Sequence, residues 1–269
     1  MIIDLHMHTN TSPDTTQELS EMYKIAVQKG LKYICITNHQ ELNVHSQEEG
    51  YSLTSEKLAK YKNEFKDLVL NPITKIFFGV EMGYYQDQEE VIKQFIREND
   101  FDFVIGSVHW VDNLEVANGN NREKFAVQTE LHANLIDNYF LKLEKAIKCK
   151  QFDVVGHIDV FKKVMPEPDF FILKERWAKI ADVLIENNVG FEINTSYKFS
   201  DKNGLHIYPS VDVLNFFIEK GIKTITIGSD AHSYNRIGDQ VDEVEKLLKS
   251  LGVKQVCYFE KRKKYFVDL

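Results

Sequence analysis

Short apolar runs recur along the chain, and each is followed by a longer stretch whose apolar positions return every three or four residues. The runs cover residues 2–5, 33–37, 76–80, 103–108, 154–158, 189–193 and 224–228, with 253–259 as an eighth candidate. Ile, Val, Phe and Tyr dominate them, and they have the length of buried strands. The stretches 20–29, 55–70, 89–98, 134–148, 173–187, 211–220 and 241–251 read as amphipathic helices. Local punctuation agrees. Gly30, Asn188 and Gly221 follow the ends of three such stretches, and Pro72 lies just past another.

Continuous apolar strands alternating with helices describe a parallel sheet covered by helices. Seven or eight such units in 269 residues point to an α/β chain closed into a barrel rather than an open sheet. Neither GxGxxG nor GxxxxGK[ST] occurs, which removes two common phosphate-cradling loops. No Pro/Gly/Ser-rich linker interrupts the pattern, so residues 1–269 are expected to form one domain. The longest irregular stretch, 112–125, centres on Asn118-Gly119-Asn120-Asn121 and is expected to cover a substrate.

Charge narrows the possible partners. With 33 Lys+Arg against 41 Asp+Glu the net charge is −8, so the chain lacks the basic field that nucleic acid or an anionic membrane requires. A small anionic substrate held by local cations remains compatible. Cys35, Cys149 and Cys257 are too widely spaced for a zinc ribbon or a thioredoxin-type pair, and are expected to be the reduced thiols of a cytoplasmic protein. No apolar run reaches the ~18 residues of a membrane helix. Residues 1–6 lack the basic-then-apolar order of a signal peptide.

The metal-type side chains fall where these strands end. His6 and His8 close the first, His39 follows the second, Glu81 the third and His109 the fourth. His157 ends the fifth, Asp230 and His232 follow the seventh, and Asp14 lies in the first loop. In a parallel barrel those ends converge on one face, the face that carries active sites. With 9 histidines in the chain, an HxH triplet arises by chance about 0.3 times, so His6-x-His8 alone says little. The joint pattern over five strands says much more. Residues i and i+2 of a strand share a face, so His6 with His8, and Asp230 with His232, can address one ion. Imidazole with carboxylate and no thiolate suits Zn, Fe or Mn, and nine candidates exceed the needs of one ion, so two or three are expected. His45, His132 and His206 read as ordinary polar histidines, and Asp159 as a residue orienting a ligand or capping a helix.

Asp4-Leu5-His6-Met7-His8-Thr9, Thr37-Asn38-His39, Gly79-Val80-Glu81, Ser107-Val108-His109, Gly156-His157-Ile158-Asp159 and Ser229-Asp230-Ala231-His232 together resemble the PHP (polymerase and histidinol phosphatase) superfamily. The resemblance spans residues 4 to 260 and keeps the motifs in order. It implies a distorted (β/α)7 TIM-like barrel with up to three ions at the C-terminal ends of the strands. It implies that His6, His8, Glu81 and Asp230 hold one ion. Glu81 with His109 and His157 would hold a second, and Asp14, His39 and His232 a third. Phe191-Glu192-Ile193-Asn194-Thr195-Ser196, Ile207-Tyr208-Pro209-Ser210 and Tyr258-Phe259-Glu260-Lys261-Arg262 resemble the histidinol-phosphatase branch. Two departures stand out. Asn38 replaces an acid common in the family, and Tyr197-Lys198-Phe199 stands where a Gly and a phosphate-suited Arg are common.

The activity implied is hydrolysis of a phosphomonoester, L-histidinol phosphate in the first instance and another small ester or nucleotide in the second. Three divalent ions, three carboxylates and a bridging hydroxide leave about +2, which complements a phosphate dianion. In-line attack by that hydroxide then needs a proton for the leaving alkoxide, and Asp230 or His232 could relay it. Lys162, Arg236 and Lys198, in that order, are the expected phosphate-gripping cations. Trp110, Tyr197 and Glu41 are candidate walls for an imidazole and an amine. Residues 260–264 read as a solvated charged tail. A module without chemistry would show broken ligand positions, and all nine positions here hold competent ligands.

Overall fold

The computed structural model describes residues 3–68, 73–126, 129–197 and 205–269. Seven parallel strands are β1 (Ile3–Asp4), β2 (Tyr33–Ile36), β3 (Lys75–Gly83), β4 (Phe103–Ser107), β5 (Val154–Val155), β6 (Gly190–Asn194) and β7 (Ile225–Gly228). Each is followed by a helix: α1 (Leu19–Gln28), α2 (Ser55–Lys66), α3 (Glu89–Glu98), α4 (Thr129–Lys148), α5 (Phe170–Asn187), α6 (Val211–Glu219) and α7 (Val241–Ser250). The strands pair in chain order from β1 to β7. Leu5 N–H donates to the Ile227 carbonyl (2.9 Å) and Met7 bridges Ala231, so the sheet nearly closes on itself. The Asp4 carboxylate fastens the same seam, accepting from Ser229 N–H (2.8 Å), Ser229 Oγ (2.6 Å) and Gly238 N–H (2.8 Å). This is the expected distorted (β/α)7 arrangement.

Helices cover one face of the strands and the barrel interior the other, so β4, β6 and β7 are buried throughout. Small residues let that packing close. A Cβ on Gly106 would lie 2.1 Å from the Phe152 ring. Helix ends follow local chemistry. Thr54 accepts from Lys57 N–H at the start of α2, and Asp169 from Phe171 N–H at the start of α5. Asn188 ends α5 in the left-handed region at φ 54°.

Residues 253–259 do not add a barrel strand. They enter a hairpin of β8 (Gln255–Glu260) and β9 (Lys263–Asp268) laid across the N-terminal ends of the strands. Tyr258 stacks on Tyr33 and Phe77, Phe259 stacks on Phe103, and Cys257 Sγ donates to the Ile225 carbonyl (3.2 Å). The 260–264 run is therefore the turn of this plug and not a solvated tail. Glu260 pairs with Lys75 (2.7 Å) and Arg262 with Asp153 (2.6 Å), because the strand starts offer partners for its charges. Among the described residues no helix is long and apolar enough to cross a membrane.

Candidate metal centre

The opposite end of the barrel gathers the metal-type side chains around Glu81, which β3 carries into the mouth. Glu81 Oε1 lies 2.8 Å from His157 Nε2 and 3.1 Å from His109 Nε2. Its Oε2 lies 2.9 Å from His39 Nδ1, 3.2 Å from His6 Nε2 and 3.6 Å from His8 Nε2. Asp230 Oδ1 approaches His8 Nε2 (3.2 Å), His232 Nδ1 (3.4 Å) and His6 Nε2 (3.7 Å). Asp14 Oδ2 approaches His232 Nε2 (2.9 Å) and His39 Nε2 (3.5 Å). The His8 ring is stacked between His39 and His232, with centroids 4.2 and 4.3 Å away.

This donor set fits divalent cations. His6 Nε2, both nitrogens of His8, His39 Nδ1 and Glu81 Oε2 are buried without a hydrogen-bond partner, an arrangement that costs free energy unless a ligand completes it. Ligand atoms of His6, His8 and Glu81 lie within 4.8 Å of one another, as do those of Glu81, His109 and His157, and those of His8, His39 and His232. The electrostatics ask for positive charge. Burial alone lowers the His6 pKa, yet Glu192, Glu81 and Asp230 outweigh it and hold it well above the ordinary value. For His109, burial is likewise overcome, by Glu41 and Glu81, and the ring is pushed up to about 10. His8 shows the opposite: burial, then the charges of His39 and His232, bring it down to about 3. It is a neutral imidazole at physiological pH, ready to donate a lone pair.

Two further carboxylates orient the rings. Glu192 Oε1 accepts from His6 Nδ1 (2.6 Å) while Oε2 accepts from His157 N–H (2.9 Å). Glu41 Oε1 accepts from His109 Nδ1 (2.6 Å). Each leaves the Nε2 of its ring facing inward, as metal-ligating histidines require. Glycines make room for these acids. A Cβ on Gly228 would lie 2.4 Å from Glu192 Oε1, and one on Gly83 would lie 2.2 Å from Glu41 Oε2. A cavity of about 540 Å³ opens from the cluster and is lined by Asp14, His39, Glu41, Glu81, His109, His157, Asp230 and His232. Residues 110–121 supply much of its remaining wall. They fold as a short hairpin, Trp110–Val111 with Leu114–Glu115, followed by the turn Gly119–Asn121.

The family model for the PHP domain matches residues 4–196. The chain belongs to the PHP domain family. A histidinol-phosphatase of Lactococcus lactis subsp. lactis is 28% identical over 264 residues, covering 96% of this chain and 94% of its own. A protein of Clostridium acetobutylicum named "Probable histidinol-phosphatase" is 26% identical over 270 residues, covering 97% and 98%. The crystal structure of histidinol phosphate phosphatase from Lactococcus lactis subsp. lactis, complexed with zinc, L-histidinol and phosphate, matches with a TM-score of 0.77 at 25% identity. It covers 98% of this chain and 100% of that one.

In this PHP domain the nine expected ligands converge, but the expected substrate residues divide. Lys162 is buried and turned away from the cavity. Its Nζ donates to Asp159 Oδ2 (2.9 Å) and the Ile207 carbonyl (2.7 Å) and lies over the rings of Tyr197 (4.6 Å) and Tyr208 (4.9 Å). The cavity wall carries its neighbour Lys163 instead, because the 3₁₀ turn Val160–Lys163 points consecutive side chains in different directions. Asp159 is the partner of Lys162 and accepts from the N–H of Ser210 (2.9 Å), the residue that caps the start of α6, and makes no capping bond to the 3₁₀ turn that follows it. Tyr197 packs on Lys162 rather than on the cavity. Arg236 does reach the wall, where it pairs with Asp239 and donates to the Thr195 carbonyl (3.4 Å). Trp110 lines the cavity and donates to Ser46 Oγ (3.0 Å). Lys198, and the side chain of His132, lie outside the described residues. Asn38, in place of an acid, holds the first loop, accepting from Thr9 N–H (2.8 Å) and Ser12 Oγ (3.3 Å).

Proposed function

We propose that this PHP domain is a metal-dependent phosphomonoesterase that hydrolyses L-histidinol phosphate to L-histidinol and phosphate. The observation that carries the reading is Glu81. One buried carboxylate is shared between His6, His8 and His39 on one oxygen and His109 and His157 on the other, at the floor of a substrate-sized cavity. The curated relatives named for this activity match almost the whole chain.

His6, His8, Glu81 and Asp230 would hold one divalent ion and Glu81, His109 and His157 a second. Asp14, His39 and His232 would hold a third. Two or three ions of zinc, iron or manganese would supply Lewis acidity and an activated water. Glu192 and Glu41 keep a proton on Nδ1 of His6 and His109 and so keep Nε2 free for a ligand bond. Lys163 and Arg236, both on the cavity wall, would neutralise phosphoryl oxygens and fix the ester for in-line displacement. Asp230 Oδ1 and His232 Nδ1, 3.4 Å apart, would carry the proton that the leaving alkoxide takes up. The same reading places the protein in the cytoplasm, where its free Cys35, Cys149 and Cys257 stay reduced.

The test is phosphate release after loading with manganese, zinc or iron. The panel is histidinol phosphate, p-nitrophenyl phosphate, a nucleoside monophosphate and a short oligonucleotide. A kcat/KM for histidinol phosphate about 100-fold above the others is expected, equivalent to about 2.7 kcal/mol of discrimination. A flat or nucleotide-favouring profile overturns the substrate and leaves the phosphatase class.

A further inference from the structure

The hairpin that plugs the barrel leaves one strand edge free. β8 meets the strand starts and is buried on both faces, at Val256 on one and at Cys257 and Phe259 on the other. Among the described residues β9 has no strand partner but β8, and its Tyr265 and Phe266 are 40% and 46% exposed. The turn between the two strands fixes which backbone groups are left over. Lys261 and Arg262 both have positive φ (50° and 63°), the mark of a two-residue I′ turn closed by a hydrogen-bonded pair, Glu260 with Lys263. Bonded and non-bonded pairs alternate from there, so Tyr265 and Val267 are bonded to β8. Leu269 continues the series by donating its N–H to the Lys254 carbonyl (3.0 Å). Lys264, Phe266 and Asp268 therefore turn their N–H and C=O groups to the open side. Among the described residues nothing bonds to those groups.

An open edge of this kind recruits another strand, and these three residues specify which one. Their side chains share one face of β9 and read cation, aromatic ring, anion. A two-fold axis through Phe266 sets the strand antiparallel to its own copy. Lys264 then lies opposite Asp268 of the second copy, Phe266 opposite Phe266, and Asp268 opposite Lys264. On the other face Tyr265 meets Val267 of the second copy and Val267 meets Tyr265, each an aromatic against a β-branched residue. An axis at Lys264 or Asp268 would oppose like charges. An axis at Tyr265 or Val267 would set a charge against the Phe266 ring with no counter-charge. The two charges are also uncommitted. Glu260 and Arg262 of the same hairpin are ion-paired. Among the described residues Lys264 Nζ instead meets the neutral Thr224 Oγ1 (2.7 Å) and Asn188 Oδ1 (3.2 Å), and Asp268 Oδ1 meets the neutral Gln255 Nε2 (2.8 Å).

We propose that β9 is a homodimer interface: two copies of this chain join edge to edge through Lys264, Phe266 and Asp268, forming a four-stranded antiparallel sheet across a two-fold axis. A contact between two strands of 6 residues is small, so the dimer is reversible and its population follows concentration. The interface lies at the end of the barrel remote from the metal-type cluster. Both cavities stay open, and the dimer does not depend on the phosphatase reading.

Sedimentation velocity on the full chain, over a wide range of concentration, is the test. The wild type is expected to pass from one to two chain masses as concentration rises. Phe266→Pro removes the edge N–H without touching a bond to β8, and is expected to stay monomeric. Lys264→Glu and Asp268→Lys each place like charges opposite one another in both halves of the interface, and each is expected to weaken the dimer at least about 10-fold. Mixing those two variants restores both opposite-charge pairs in a heterodimer and is expected to recover association, as is the double variant. Circular dichroism establishes that each variant is folded. A wild type that stays monomeric, a Phe266→Pro variant that dimerises like the wild type, or charge variants that associate no better mixed than alone, overturns the assignment.

Discussion

Glu192 was the least legible residue of the centre and is among the most consequential. Glu192 lies in a stretch that resembles the histidinol-phosphatase branch, but a lone acid between Phe191 and Ile193 on a wholly buried strand gives no local signal of what it holds. Its partner His6 is 186 positions away in sequence. Glu192→Gln keeps the volume but removes the charge that holds the His6 ring and the His157 backbone together. Metal retention in a chelator competition is expected to weaken by about 10- to 100-fold, and retention equal to wild type would refute the role. The histidines were legible for the opposite reason. Spacing i, i+2 at a strand end fixes where two side chains point before any tertiary contact is known. Lys162 and Lys163 mark the boundary of that logic. Adjacent lysines look alike in sequence, and only the turn decides that one meets Asp159 and the other the cavity.

At the scale of elements, the helices and barrel strands followed from periodicity, with boundaries displaced by a few residues. α4 begins at Thr129 rather than 134, and α5 at Phe170 rather than 173. The C-terminal hairpin was the element misread. The apolar run in 253–259 is a strand, with Val256, Cys257 and Phe259 buried, but an apolar run does not say which strand will pair with it. The answer is the following segment, Lys263–Asp268, in antiparallel register. The hairpin's aromatic face closes the barrel end remote from the metal-type cluster, so its energetics should separate from the chemistry. Phe259→Ala, which removes the stack on Phe103, is expected to cost about 3 kcal/mol in a denaturant titration. Metal content per chain should stay at the wild-type value. A loss of metal in that variant would show that the plug also shapes the mouth.

For the molecule as a whole, the buried apolar core that runs from β1 to β7 provides the folding energy, while the mouth concentrates Asp14, Glu41, Glu81, Glu192 and Asp230 among six imidazoles. Stripping the ions with a chelator should therefore leave the far-ultraviolet circular dichroism of the barrel in place and still lower Tm. For free metal at 1,000 times its Kd the linkage is about 4 kcal/mol, or about 10 °C for a chain of this size. Readdition should restore it, and a Tm indifferent to metal would contradict ions bound at the mouth. The sequence by itself determined the α/β barrel and the gathering of the candidate histidine and carboxylate ligands, because strand and helix periods, and the i, i+2 geometry at strand ends, are local properties. Tertiary structure alone decided that Glu192 and Glu41 hold the rings of His6 and His109, that Lys163 replaces Lys162 on the cavity wall, and that the C-terminal run plugs the barrel. Each of those depends on which distant segment the closed sheet brings within hydrogen-bonding or packing distance, and no local pattern encodes that.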